Sequence, residues 1–418
     1  MALDHINDLA AFVSASPSSF HAAAEVARRL DAAGFTEQPE DARFALEPGG
    51  GYVLRDGAIV AWHVPSGADA DSGFRIVGAH TDSPSLKLKP QPTASAHGWQ
   101  QAAVEVYGGP LLNQWLDREL GLAGRIVTRA GEQVLVRTPA WLRVPQVAPH
   151  LDRSVNEALR LDRQAHLKPV FAVGRPDLDL LDLIADHADL DLADVASHDL
   201  YCYITESPAV FGPQEEFFAS PRLDNLSSVH AGLVALLDAE GDDITVLACF
   251  DHEEVGSSSR SGGAGPLLEQ VLRRVAGALG ADADGWHRML ARSSCISADA
   301  GHAIHPNHPQ LHDPEHRPLL NGGPLLKHNA NLRYTSDAAS SSLWRRACGA
   351  AGVPTQDFVS NNSVPCGSTI GPMTAERLGL VMCDVGIPLL SMHSTRELAG
   401  VLDPGWLAEA LTAYFAGA

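Results

Sequence analysis

Apolar residues along this chain follow two different rhythms. Residues 20–30 repeat them at helical spacing behind Ser18-Ser19 and ahead of Gly34, which predicts a capped amphipathic helix. Short continuous or alternating runs at 52–54, 58–62 and 74–78 predict strands. Between 88 and 216 the texture changes. Strand-like runs at 103–106, 124–128 and 133–136 are joined by Pro-rich connections, with no crossover helices between them. An acidic Asp/Leu stretch at 177–193 reads as a solvated loop or helix. After Ser220 helix and strand alternate again: helix 226–237, strand 244–250, helix 266–279, strand 295–298, a further helix, strand 388–392 and a last helix after Pro404. The pattern predicts an α/β fold with a central, mostly parallel sheet flanked by helices. That domain would span 1–87 and 217–418, interrupted by an inserted β-rich domain at 88–216.

Composition narrows the function classes. Of 418 residues, 45% are hydrophobic and 19% charged, enough apolar content for a buried core. The formal charge of −21 repels phosphate backbones and anionic membranes, which argues against nucleic acid as a partner. No run approaches the roughly 20 apolar residues of a membrane span, and the N-terminus lacks the pattern of a signal peptide. Six cysteines form no C-x-x-C pair, and several lie inside apolar runs, so they read as reduced thiols of a cytoplasmic protein.

The chemistry sits where apolar runs stop. Residues 76–79 lead into His80-Thr-Asp82, 245–250 into Asp251-His-Glu253-Glu254, 295–298 into Asp299, and 388–392 into His393. Strand C-termini of an open α/β sheet converge at one edge. Four ends carrying His, Glu, Asp and His are therefore placed for a metal centre. Asp224, in Ser220-Pro-Arg-Leu-Asp224-Asn-Leu, is either a helix cap or a fifth ligand. Two close divalent cations need a shared carboxylate to offset their repulsion. In that arrangement Asp224 bridges, His80 and Asp299 hold one metal, and Glu254 and His393 hold the other. Nitrogen and oxygen donors without thiolate favour zinc, with cobalt or manganese possible. Asp82 is placed to orient the His80 imidazole, and Glu253 is left as the general base for water attack on an amide.

The Gly-rich runs at 256–265 and 365–372 lack a Walker lysine and the dinucleotide-site spacing, and read as flexible or close-approach loops. Lys327, in Gly323-Pro-Leu-Leu-Lys327-His-Asn, is either solvated or turned inward between its apolar neighbours. Tyr334 is either an ordinary strand tyrosine or a hydroxyl donor to an oxyanion.

The chain resembles the aspartyl aminopeptidases, cytosolic two-zinc exopeptidases, almost from end to end. The matching stretches include Ser16-Pro-Ser-Ser-Phe-His21, Gly78-Ala-His80-Thr-Asp82-Ser-Pro, Trp115-Leu-Asp-Arg-Glu-Leu-Gly-Leu-Ala-Gly124, Ser220-Pro-Arg-Leu-Asp224-Asn-Leu and Asp251-His-Glu-Glu254-Val-Gly. Ser297-Ala-Asp299, Ala303-Ile-His305-Pro-Asn307, Pro365-Cys-Gly-Ser-Thr-Ile-Gly-Pro372 and Met392-His393-Ser continue it. The resemblance implies a zinc exopeptidase-like fold, two Zn2+ per subunit and release of N-terminal Asp or Glu from peptides. It implies that Lys327 holds the acidic side chain, and that His302 and Tyr334 contact substrate. By the same likeness His150, in the insert, reaches the active site of a neighbouring subunit. The insert then serves as a dimerisation domain within a homo-oligomer of twelve subunits. Two other readings stand beside this one: a broad-specificity binuclear dipeptidase or deacylase, and a non-catalytic self-assembling or cargo-binding protein on the same fold.

Overall fold

A computed structural model describes residues 2–44, 47–238 and 240–418. The chain divides into two units, one formed by Met1–Asp82, Pro208–Met392 and Glu397–Ala418, the other by Ser83–Ser207 and His393–Arg396. The borders differ from the sequence-based ones for local reasons. Residues 85–87 begin the long strand Ser85–Ala96 of the insert. Ala209–Phe211 instead pairs with Phe217–Ser220 in the first unit.

The first unit is built on a nine-stranded sheet. At its centre Ile244–Phe250, Phe74–His80 and Ser294–Ala298 lie side by side and parallel, followed by Val381–Gly386, also parallel. Leu325–His328 joins Val381–Gly386 antiparallel, and Gln356–Val359 closes that side. These central strands read as continuous apolar runs because both faces are covered. One face packs on helices Ala2–Ala15, Ser19–Ala32, Leu223–Asp238, Ala338–Ala351 and Asp403–Phe415, around Leu247, Val77 and Ile296. The other packs on Leu267–Ala278, Ala283–Ala291 and Ile370–Leu378, around Val246, Ile76 and Cys295.

The helix at 20–30 appears as Ser19–Ala32, with the Ser18 side chain accepting from the His21 N–H (3.4 Å) and Gly34 in a left-handed conformation (φ +85°) just beyond it. Two expectations need correction. The run at 388–392 is a short strand, Pro388–Leu390, and it belongs to a separate five-stranded sheet rather than to the main one. The Gly-rich run at 365–372 is only half a loop: Thr369 caps a helix, and from Ile370 the chain is helical. In the other Gly-rich run a Cβ at Gly262 would meet the Ser257 carbonyl oxygen, a close approach that only glycine permits. All six cysteines are free, five buried and Cys366 half-buried.

The second unit is a six-stranded sheet in which every recorded pairing is antiparallel. Its core gathers Leu86, Leu122, Ile126 and Leu200. The acidic stretch forms helix Leu180–His187, whose N-cap Asp179 accepts from the Leu181 and Asp182 amides.

Candidate metal centre

Register decides which residues meet. Phe250 pairs with His80, and Ser297 pairs with Gly78, so three neighbouring parallel strands end level with one another. Beyond those ends the chain supplies His80, the turn Asp251–Glu254, and Asp299. His252 takes a left-handed conformation (φ 64°), which turns the chain sharply and sets Glu253 and Glu254 in the short helix Glu253–Val255. Helix Leu223–Asp238 brings Asp224, whose backbone and that of Asn225 are not yet helical. The Asn225 side-chain amide donates to the Ala298 carbonyl (2.9 Å), tying this turn to the strand that ends at Asp299.

The imidazole of His80 is the hub. Its Nδ1 donates to the Asp82 main-chain carbonyl (3.0 Å), and since a carbonyl can only accept, Nδ1 carries a proton. Nε2 then faces Asp224 Oδ1 at 3.3 Å, with Glu253 Oε2 and Asp299 Oδ1 each at 3.9 Å. Donor atoms of His80, Asp224 and Glu254 all fall within 4.8 Å of one another. Burial alone would lower the His80 pKa, but its bonds to Asp224 and Asp82 and the charges of Glu253 and Asp299 outweigh it and hold it well above the ordinary range. Burial pushes Glu253 up to about 7, with His80 opposing and Asp299, Asp224 and Asp82 adding to the rise. Burial likewise pushes Asp299 up to about 6, with Lys327 opposing. Carboxylates crowded away from water in this way call for a compensating cation. The donor set of imidazole nitrogen and carboxylate oxygens, without thiolate, suits zinc.

Asp82 has a broader part than its spacing predicted. The nearest partner of His80 Nδ1 is the Asp82 main chain, with its carboxylate at 3.4 Å. That carboxylate accepts the Glu253 and Glu254 amides (3.0 and 3.1 Å) and so fixes the turn carrying both glutamates. Sequence reasoning missed Glu397, which is 1% exposed and accepts the Asp224 amide at 2.9 Å. The matching stretch Met392-His393-Ser stops short of it, so no motif pointed there.

Lys327 is buried, not solvated, and its Nζ donates to the Ala300 carbonyl at 2.7 Å. The same Nζ stands 5.3 Å from the centre of the Tyr334 ring. Tyr334 is buried in a bend rather than a strand. His302 is exposed, its ring 6.2 Å from that of Phe358. A cavity of about 250 Å³ is lined by His302, Tyr334, Phe358 and Cys366. His150 and His393 belong to the second unit. His150 is exposed in a turn, while His393 donates from Nδ1 to the Gly109 carbonyl (3.0 Å), which turns Nε2 into the acceptor.

Among the described residues no helix is long and apolar enough to cross a membrane. A "Probable M18 family aminopeptidase 2" from Streptomyces coelicolor is 52% identical over 98% of this chain and 97% of its own length. The solved complex of Ape4 and Nbr1 contains a chain that matches with a TM-score of 0.95 at 33% identity, over 99% of this chain and 86% of that one. The S. cerevisiae mApe1 dodecamer matches with a TM-score of 0.86 at 26% identity, over 99% and 96%. The family model for aminopeptidase I zinc metalloproteases covers residues 12–415, and the chain belongs to that family, M18: it is a zinc metalloaminopeptidase.

Proposed function

We propose that this aminopeptidase releases N-terminal Asp or Glu from peptides at a centre of two zinc ions. The observation that carries the reading is the meeting of one imidazole and several carboxylates at the level ends of three parallel strands. Asp224 would bridge, with His80 and Asp299 on one side and Glu254 and His393 on the other. Zinc, when bound, supplies Lewis acidity that makes water a competent nucleophile near neutral pH.

The chain's own residues do the rest. Glu253 keeps a side-chain exposure of 15%, against 6% for Asp224, 8% for Asp299 and 1% for His80. It is therefore placed to meet water, take its proton and pass it to the leaving amine. Asp82 orients this base through its amide. Tyr334 donates its hydroxyl to the developing oxyanion, where a preorganised donor counts most. Lys327 supplies the local cation that an acidic side chain needs in a protein of charge −21, since distant charges are screened beyond about 8–10 Å. His302 contacts substrate, and His150 does so across a subunit boundary in a cytoplasmic dodecamer with the insert as dimerisation domain. The solved mApe1 dodecamer supports that assembly.

The test is a panel of Asp-, Glu-, Leu- and Lys-terminal chromogenic amides, run on the parent enzyme and on Lys327→Ala. Acidic substrates should lead in the parent and lose about 2–5 kcal/mol in the variant, the scale for removing one partner of a buried charge pair. Leu substrates leading, or equal losses on neutral ones, would leave a broad-specificity peptidase instead.

A further inference from the structure

Asp384 is fully buried on Val381–Gly386, directly opposite Lys327 across the antiparallel pairing with Leu325–His328. Opposed residues of such a pair send their side chains to the same face of the sheet. The Asp384 carboxylate binds the main chain and hydroxyls of two separate loops. Oδ2 accepts the Thr335 amide (2.6 Å) and the Thr335 hydroxyl (2.7 Å), and Oδ1 accepts the Thr369 hydroxyl (2.6 Å). Its own amide donates to the Ser336 hydroxyl at 3.0 Å. Thr369 in turn caps helix Ile370–Leu378. A Cβ at Gly371 would lie 2.6 Å from the carboxylate, so the first turn of that helix presses directly on it.

One buried anion thus anchors the loop that carries Tyr334 and the loop that comes after Cys366. Thr335 is the very next residue after Tyr334, so anchoring its amide and hydroxyl leaves the tyrosine little freedom beside Lys327. Charge-assisted bonds of this length are about twice as strong as neutral ones. We propose that Asp384 is a positioning residue of the reaction, setting the Tyr334 hydroxyl through Thr335. This rests on the oxyanion role proposed above for Tyr334. A hydroxyl held slightly out of place costs rate more than ground-state binding.

The experiment is a double-mutant cycle measured as kcat and KM separately. Asp384→Ala and the milder Thr335→Val, which keeps the carboxylate and the amide, are each made in the parent and in Tyr334→Phe. Zinc content and melting temperature are recorded for every variant. In the parent, Asp384→Ala should lower kcat about tenfold or more and Thr335→Val about threefold, with KM changed less than twofold. In Tyr334→Phe both should change kcat less than twofold. Asp384→Asn should restore most of the loss, because its carbonyl can still accept from Thr335 and its amide can donate to Thr369. Equal losses in both backgrounds would overturn the positioning role while leaving that of Tyr334 intact. Should Asp384→Ala not fold, Thr335→Val alone decides by the same criterion. An unchanged kcat in Tyr334→Phe by itself would remove the oxyanion role, and the positioning role of Asp384 with it.

Discussion

In the first unit Ile244–Phe250 is buried at every position, whereas Gln133–Arg137 of the insert buries only Val136. The difference is one of layering. A parallel strand covered by helices on both faces has no solvated position along its length, so most of its charged residues collect at the ends. A polar group within it, such as Asp384, must be met by hydrogen-bond partners. An antiparallel strand with a solvated face spreads its polar residues along itself. The first unit therefore concentrates donors at the edge formed by His80, Glu253, Glu254 and Asp299. Among the described residues, the one group of three or more close metal-ligating side chains is there.

If this contrast is functional, the two units should respond differently to substitution. Glu253→Gln should lower turnover on the order of 10³-fold with zinc content unchanged. His150→Ala in the insert should cost at least tenfold less. Equal losses would show that the insert takes part in the chemistry itself. In the doubly covered sheet, Leu247→Ala should destabilise by about 2–5 kcal/mol in denaturant unfolding, since Leu247 is fully buried. The helical layer offers a pH handle. His5 is pulled down to about 4 by burial, with the neighbouring His230 adding to this and Asp8 opposing. The rings of His5 and His230 lie 4.8 Å apart, and His230 Nε2 donates to Asp8, which also pairs with Arg29. The unfolded chain binds this proton below about pH 6.5, while the folded one refuses it until about 4. Stability should therefore fall across that window, by up to about 3 kcal/mol from this group. His5→Phe should flatten the slope; an unaltered slope would place the acid sensitivity elsewhere. The smallest effect belongs to the solvated face of the insert. Leu135→Ala, at a side chain 45% exposed, should stay within about 0.5 kcal/mol.

Much of the site was legible before any fold was known, because buried strands end abruptly and their first polar residues stand out. His80, Glu253, Glu254 and Asp299 were found that way, while Asp224 stood out only as a polar residue just ahead of a helix. Asp384 and Glu397 were missed. Each is an acid within or beginning a short strand, and its partners, Thr335 with Thr369 and Asp224, lie far away in sequence. The second role of Asp82 was hidden for the same reason, since its carboxylate serves amides about 170 residues further on.

The order of apolar and polar residues was enough to determine the α/β class, and contiguous motifs such as Asp251-His-Glu-Glu254-Val-Gly were enough to point to the family. Neither could say that the strand before His393 leaves the main sheet, that Lys327 turns away from water, or which histidine nitrogen carries the proton. Such features depend on register and on hydrogen bonds between distant segments, and only the folded chain brings those segments together.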